Sequence, residues 1–200
     1  MSSIKLTGLK RKTTDKYYTN SDVVYKCICI IKQNINIQDN DICIEPSAGN
    51  GAFINDIKKV FVNYKFYDLE PENNEIIKQD YLEYNYKNDI NKNDINKIHI
   101  IGNSPFGRQS SLAIKFIKKS ADFCDSISFI LPKSFKKDSL KKHFPLNYHL
   151  LYDIDIPKKS FLVNNKEYDV PCVFQIWKHM ETLRETPEKI YPNNFNFVNK

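Results

Sequence analysis

Residues Asp41 to Phe53 read DICIEPSAGNGAF, and this stretch decides the fold. A short apolar run, Ile42-Cys43-Ile44, ends on the carboxylate Glu45. Pro46 and two small residues follow, then Gly49-Asn50-Gly51, then a helix-like apolar spacing from Ala52 to Val60. A strand that runs through a glycine-rich turn into a helix is how α/β proteins hold nucleotides. Glycine lets the backbone approach a ligand and adopts φ values that other residues avoid. Pyrophosphate binders carry a third glycine, as GxGxxG, so that the diphosphate meets the helix N-terminus. Here the third glycine is absent, and Glu45 stands four positions before the first. A carboxylate at a strand tip repels phosphate and suits a cation. That points away from a dinucleotide and toward a sulfonium with an amino-acid head.

The run Glu45-Pro46-Ser47-Ala48-Gly49-Asn50-Gly51 resembles the first motif, E/D-P-x-x-G-x-G, of class I S-adenosylmethionine-dependent methyltransferases. The resemblance implies a cofactor cradle built from Glu45, Pro46, Gly49, Asn50 and Gly51. A strand–helix turn with no ligand is the plainer alternative for this segment taken alone.

The 200 residues suffice for one domain with a proper core, and 41% of them are hydrophobic and 13% aromatic. No apolar run reaches membrane-spanning length, and MSSIKLTGLKRK lacks the apolar centre of a secretory signal. The expectation is a soluble intracellular protein, cytoplasmic or nuclear, with no membrane attachment. The five cysteines form no C-x-x-C pair, and an odd count mostly within apolar runs suggests reduced, buried thiols. Four scattered histidines offer no zinc-like spacing, so no metal is expected. The formal net charge of +6 comes almost wholly from lysine, arginine occurring only at 11, 108 and 184. It fits a polyanion-binding surface. It equally fits a Lys-, Asn- and Ile-rich coding bias.

Residues 1–16 read as a basic flexible arm. Asn20 or Ser21 then caps a helix whose broad apolar side carries Val23, Val24, Cys27, Ile28, Ile30 and Ile31. The preceding Tyr17-Tyr18-Thr19 resembles the aromatic-Thr-Pro segment that amino-methyltransferases set against the methionine end of the cofactor, with Asn20 in place of the proline. Tyr18 and Thr19 are therefore cofactor candidates. The alternation in FVNYKFYDLEPEN predicts a second strand that ends on Asp68. In the family a carboxylate there accepts the ribose hydroxyls, which assigns Asp68, with Leu69 beside it and Glu70 as a stand-in. A carboxylate has the lone pairs to accept both protons of a diol. IIKQDYLEYN resembles the third motif, where an Asp receives the adenine amino group and a neighbouring aromatic packs on the ring. Asp80 and Tyr81 hold those positions. The tandem repeat KNDINKNDIN, 87–96, reads as a low-complexity surface loop without chemistry.

Ile98–Gly102 is a short buried strand that runs into Asn103-Ser104-Pro105-Phe106-Gly107. This resembles the [N/D]-P-P-[Y/F/W] motif of methyltransferases acting on planar exocyclic or amide nitrogens. The resemblance makes Asn103, Ser104, Pro105 and Phe106 the catalytic set, with Asn103 also near the cofactor. The Asn103 side-chain oxygen and the Ser104 carbonyl would take the two N–H groups of the acceptor amine, and Phe106 would stack on a flipped base. Serine replaces the first proline, which removes some rigidity from the turn. Four of the five glycines (49, 51, 102, 107) lie in these two motifs.

A helix over SSLAIKFIKKSADFC, a strand in SISFILP, a lysine-studded helix in KSFKKDSLKKHF and a closing strand pair complete the chain. Strands at about 41–45, 63–68, 76–79, 98–102, 126–131, 147–154 and 171–177 predict an α/β, Rossmann-like fold. Its seven-stranded, mostly parallel sheet has an antiparallel last strand and helices on both faces, with sites at the strand carboxyl ends. The expected methyltransferase domain spans 17–178, with a polar tail over 179–200 and no separate target-recognition domain. The expected reaction is methyl transfer from S-adenosylmethionine to an exocyclic amine, foremost N6 of adenine in DNA or RNA. Arg108, Lys133, Lys136 and Lys137 join Phe106 as nucleic-acid contacts. A protein glutamine amide or a guanine N2 amine would suit the same turn. A catalytically degenerate subunit that steadies a protein partner or grips nucleic acid is the non-enzymatic reading.

Overall fold

Apolar runs of four to eight residues alternating with amphipathic helices place most of the chain in a three-layer α/β arrangement. The computed structural model describes residues 17–91, 94–163 and 165–186. In order these form β1 (Tyr18–Thr19), α1 (Ser21–Asn34), β2 (Ile42–Glu45), α2 (Ile54–Lys58), β3 (Asn63–Asp68) and β4 (Ile77–Lys78). Next come β5 (Ile98–Asn103), α3 (Ser111–Ala121), β6 (Ser126–Pro132), α4 (Asp138–Lys141) and β7 (Tyr148–Asp155). β8 (Phe161–Val163), β9 (Lys166–Tyr168) and β10 (Cys172–His179) close the chain.

The main sheet has seven strands in the order β4-β3-β2-β5-β6-β10-β7. β2, β3, β4, β5 and β6 pair in parallel, and β10 runs antiparallel between β6 and β7. Both faces are covered, as parallel strands require. Successive residues of β2 point to opposite sides. Cys43 joins Val24, Ile28, Ile31 and Ile57 of α1 and α2, whereas Ile42 and Ile44 join Ala113, Phe116 and Ile117 of α3. The Asn20 side chain caps α1 by accepting from the Asp22 N–H at 3.2 Å.

Four expectations from sequence change here. The lysine-studded segment is not one helix. Lys137 is extended (φ −80°, ψ 140°) and separates a 3-10 turn over Lys133–Lys136 from the single turn of α4. Burial of Phe135 and Phe144 sets that path, with Phe144 stacked on Trp177 at 4.0 Å. Nor is the KNDIN repeat wholly a surface loop. Ile90 is buried, and the Asp89 carboxylate receives Lys65 and the hydroxyls of Tyr67 and Tyr84. The body also continues past 178. The Arg184 guanidinium donates to the carbonyls of Lys141, Phe144, Pro145 and Tyr148 and lies over Trp177. The arm at 1–16 and the remainder of the tail lie outside the described residues. Finally, a second sheet, β1-β8-β9, was not legible from the sequence. Among the described residues, no helix is long and apolar enough to cross a membrane.

Candidate cofactor and acceptor site

The carboxyl ends of β2, β3 and β5 bring the two glycine-bearing turns together. Glu45 ends β2 and is 2% exposed, its Oε2 without a hydrogen-bond partner among the described residues. Burial, helped by the nearby Asp68 charge, raises its pKa to about 8. Gly102 makes room for it, since a Cβ there would lie 3.1 Å from Glu45 Cγ.

Asp68, at the end of β3, accepts the Gly49 N–H and the Glu70 N–H, each at 2.8 Å. It thus fixes the glycine turn, while each carboxylate oxygen keeps a lone pair for a further donor. Gly51 needs to be glycine. Its φ is +86°, and a Cβ would lie 2.7 Å from Ile54 Cδ1. Pro46 is buried, Asn50 exposed, and Leu69 is exposed at the rim.

β1 lies across both turns. The Tyr18 ring flanks Gly49, where a Cβ would be 3.4 Å from Tyr18 Cε1, and its hydroxyl donates to Glu72 at 2.6 Å. Thr19 is buried and its hydroxyl has no partner among the described residues. The Tyr17 carbonyl accepts the Asn103 side-chain N–H at 3.1 Å. That bond fixes the amide so that Asn103 Oδ1 is the buried, unpartnered oxygen. The Asn103 main-chain carbonyl accepts from Ser47 Oγ at 2.9 Å.

Ser104 stands where a proline was expected, and it holds the turn by another route. Its buried hydroxyl donates to the Ile130 carbonyl of β6 at 3.2 Å. Pro105 and Phe106 are half-buried, and Phe106 packs on the cluster that contains Phe161. Gly107 (φ +67°) admits no side chain, because a Cβ would lie 2.8 Å from Leu112 Cβ. Gln109 and Ser110 follow in left-handed conformations, φ 53° and 61°, a strained entry to α3. Arg108 is exposed on this loop.

Two groups of expected contacts are placed differently. Tyr81 is 2% exposed, its hydroxyl bonded to Ser120 Oγ at 2.9 Å and its ring against Phe116. A ring committed to the core offers no face to adenine. Asp80 itself is exposed and caps the following turn through the Leu82 N–H at 2.9 Å. Lys133 and Lys136 both pair with Asp155, at 2.6 and 2.5 Å, so their charge is already opposed. Lys137 is exposed.

Five buried side-chain polar atoms lack a partner among the described residues, and three of them (Thr19 Oγ1, Glu45 Oε2, Asn103 Oδ1) belong to this site. Buried polar atoms are nearly always bonded, so such a concentration marks a ligand site. A carboxylate, an amide oxygen and a hydroxyl suit a ligand that presents cationic and N–H groups. The residues therefore fit S-adenosylmethionine with an amine acceptor. Sequence reasoning missed Ser47, Tyr17 and the Ser104 hydroxyl, whose roles depend on partners far along the chain.

No protein-family model and no curated protein sequence matches the chain. Solved structures do. A Pyrococcus horikoshii protein provisionally described as an RNA methyltransferase superposes with a TM-score of 0.61 at 14% identity, over 88% of this chain and 93% of its own. A Listeria monocytogenes protein provisionally described as a class I S-adenosylmethionine-dependent methyltransferase gives 0.61 at 12% identity, over 92% and 66%. The 23S rRNA methyltransferase ErmE gives 0.59 at 9% identity, over 84% and 71%. At such identities the likeness establishes the fold.

Proposed function

We propose that the protein is an S-adenosylmethionine-dependent methyltransferase acting on a planar exocyclic amine, with N6 of adenine in DNA or RNA as the acceptor. The observation that carries this is the buried, unpartnered Asn103 Oδ1 within the unit that Ser47 ties to the glycine turn. Glu45, Asp68 and the glycine turn would hold the cofactor, with Tyr18 and Thr19 over its amino-acid end. When bound, S-adenosylmethionine supplies an activated methyl group on a sulfonium.

An exocyclic amine is a poor nucleophile because its lone pair is delocalised into the ring. Asn103 Oδ1 and the Ser104 carbonyl would accept its two N–H groups and favour a more tetrahedral nitrogen. The Tyr17 carbonyl orients Asn103 for that task. Phe106 would stack on the flipped base. Catalysis then rests on positioning and on polarising the amine, with no strong base required. ErmE and the P. horikoshii protein, described as acting on RNA, add support for a nucleic-acid acceptor.

The test is transfer of a labelled methyl to DNA, RNA and protein pools, followed by digestion to nucleosides and mass spectrometry. N6-methyladenosine or its deoxy form is expected. Asn103→Ala should lose most transfer while it keeps affinity for S-adenosylhomocysteine. Phe106→Ala should impair base capture, and Phe106→Tyr should be tolerated. Methylglutamine in a protein would replace the acceptor, and undiminished transfer by Asn103→Ala would remove the catalytic assignment.

A further inference from the structure

We propose that the β8–β9 hairpin is the recognition element of the enzyme, its Tyr168 and Lys166 gripping the single-stranded nucleotides that flank the target base. The inference rests on the nucleic-acid reading above and assigns it a surface.

The hairpin is joined to the catalytic turn by a short path. β1 pairs antiparallel with β8, Tyr18 opposite Leu162 and Thr19 opposite Phe161. The residue just before β1, Tyr17, receives the Asn103 side chain through its carbonyl. Its ring meets Tyr168 edge-on, with centroids 6.4 Å apart at 70°. One residue therefore touches both Asn103 and the hairpin aromatic.

Strand alternation decides which side chains work together. β9 pairs with β8, Tyr168 opposite Phe161 and Lys166 opposite Val163. Lys166 and Tyr168 are two apart on one strand and so share the face that carries Tyr17. Tyr168 is 48% exposed, much for a tyrosine in a strand, and Lys166 is exposed beside it. An aromatic face next to a lysine is how single strands are held without sequence preference, a base on the ring and a phosphate on the ammonium.

The local acids do not cancel this charge. Glu167 points to the opposite face and pairs with Lys159 at 3.5 Å. The Asp169 carboxylate accepts the Lys159 main-chain N–H. Lys158 adds exposed positive charge at the base of the hairpin. By contrast, Lys133 and Lys136 face Asp155 directly. The hairpin is the better placed basic surface, and its aromatic makes it specific for a chain of bases.

The test is fluorescence anisotropy with short adenine-containing single-stranded RNA and DNA oligonucleotides, on the full chain with S-adenosylhomocysteine present. Tyr168→Ala combined with Lys166→Ala should weaken binding about tenfold or more and reduce its salt dependence. Tyr168→Phe should bind as the wild type does. Affinity for S-adenosylhomocysteine should be unchanged in both variants, which separates a lost surface from a lost fold. Equal oligonucleotide binding by the double variant would overturn the hairpin assignment and leave the methyltransferase reading standing. A wild type that binds S-adenosylhomocysteine but no oligonucleotide would overturn both the hairpin assignment and the nucleic-acid acceptor. A wild-type dimer in sedimentation that the double variant abolishes would reassign this face to self-association.

Discussion

Ser47 Oγ donates to the main-chain carbonyl of Asn103 at 2.9 Å, so the turn after β2 and the turn after β5 are fastened to each other. Under the proposed function the first would hold the cofactor and the second the acceptor amine. A displacement of either turn is therefore felt in the other, and the variants below must be read with both ligands in view.

Asp68→Ala should weaken S-adenosylhomocysteine binding by about 1–3 kcal/mol, the usual cost of leaving partners of a charged hydrogen bond unmet. The loss combines the ribose contact with the freed Gly49 N–H. Asp68→Asn keeps an acceptor for one N–H and should lose less. Titration calorimetry on both variants checks the order. Equal affinity in wild type and Asp68→Ala would remove the ribose role.

Glu45 should make the protein less stable as the pH rises. Its pKa is about 8 when folded against an ordinary 4.5, so the folded state holds a proton that the unfolded state has already released. The contribution is fully present below about pH 4.5 and is lost as the pH climbs through 8. Glu45→Gln should flatten this alkaline decline in urea unfolding between pH 6 and 9. The ligand has the opposite appetite. A cation favours the carboxylate, so S-adenosylmethionine should bind more tightly at pH 8.5 than at pH 6.5 in wild type, and with little pH dependence in Glu45→Gln. Calorimetry in buffers of different ionisation enthalpy would register the released proton. An equal pH dependence in the variant would exclude Glu45 as its source.

His99 gives the other limb. It is buried between Ser126 Oγ at 2.7 Å and Asp41 at 3.2 Å, and burial lowers its pKa below the usual 6.5 despite the carboxylate. The folded state therefore binds fewer protons than the unfolded one. This contribution is present above pH 6.5 and is lost as the pH falls toward the folded pKa. His99→Gln, which keeps a donor and an acceptor, should reduce the drop in urea midpoint between pH 7 and pH 5. The same drop in the variant would place the acid sensitivity elsewhere.

The Lys133–Asp155–Lys136 arrangement is exposed, so removing it should change stability little. Its electrostatic effect is easier to see. Asp155→Ala should release both lysines, strengthen oligonucleotide binding and steepen its salt dependence. Neutralising Lys136, Lys137, Lys141 and Lys142 together should flatten it. Identical slopes in all three proteins would leave this segment a solvated surface.

Much of this was written in the sequence. β3 occupies 63–68 as expected from its alternation, and the other main-sheet strands fall within a residue or two of their expected limits, β2, β5 and β6 because a strand buried on both faces must be a nearly continuous apolar run between turn residues. The two glycine turns were legible because their glycines have no substitute. What escaped depends on partners distant in the chain. β1, β8 and β9 are two or three residues each and carry no alternation long enough to read. Tyr81 looks like a ligand aromatic until Ser120 and Phe116 claim it. Ile90 sits in a repeat so polar that its burial is set wholly by the surfaces above it. Ser104 looked like a weakened proline and is a tether to Ile130.

The pairing of β1 with β8 has a temporal side. Tyr18 meets a partner at position 162, and β6 meets β10 only once residues 172–179 exist. During synthesis the glycine turn, the Asn103 turn and the whole of α3 leave the ribosome before either partner has been made. Contacts so distant in sequence form late and slow the final step of folding. Until then the cradle has no covering strand, Asn103 has no carbonyl to orient it, and one side of β6 is an open edge inviting other chains. A nascent chain stalled near residue 160 would present every motif residue and no working site. The completed chain of 200 residues would close the edge and set the amide in a single stroke.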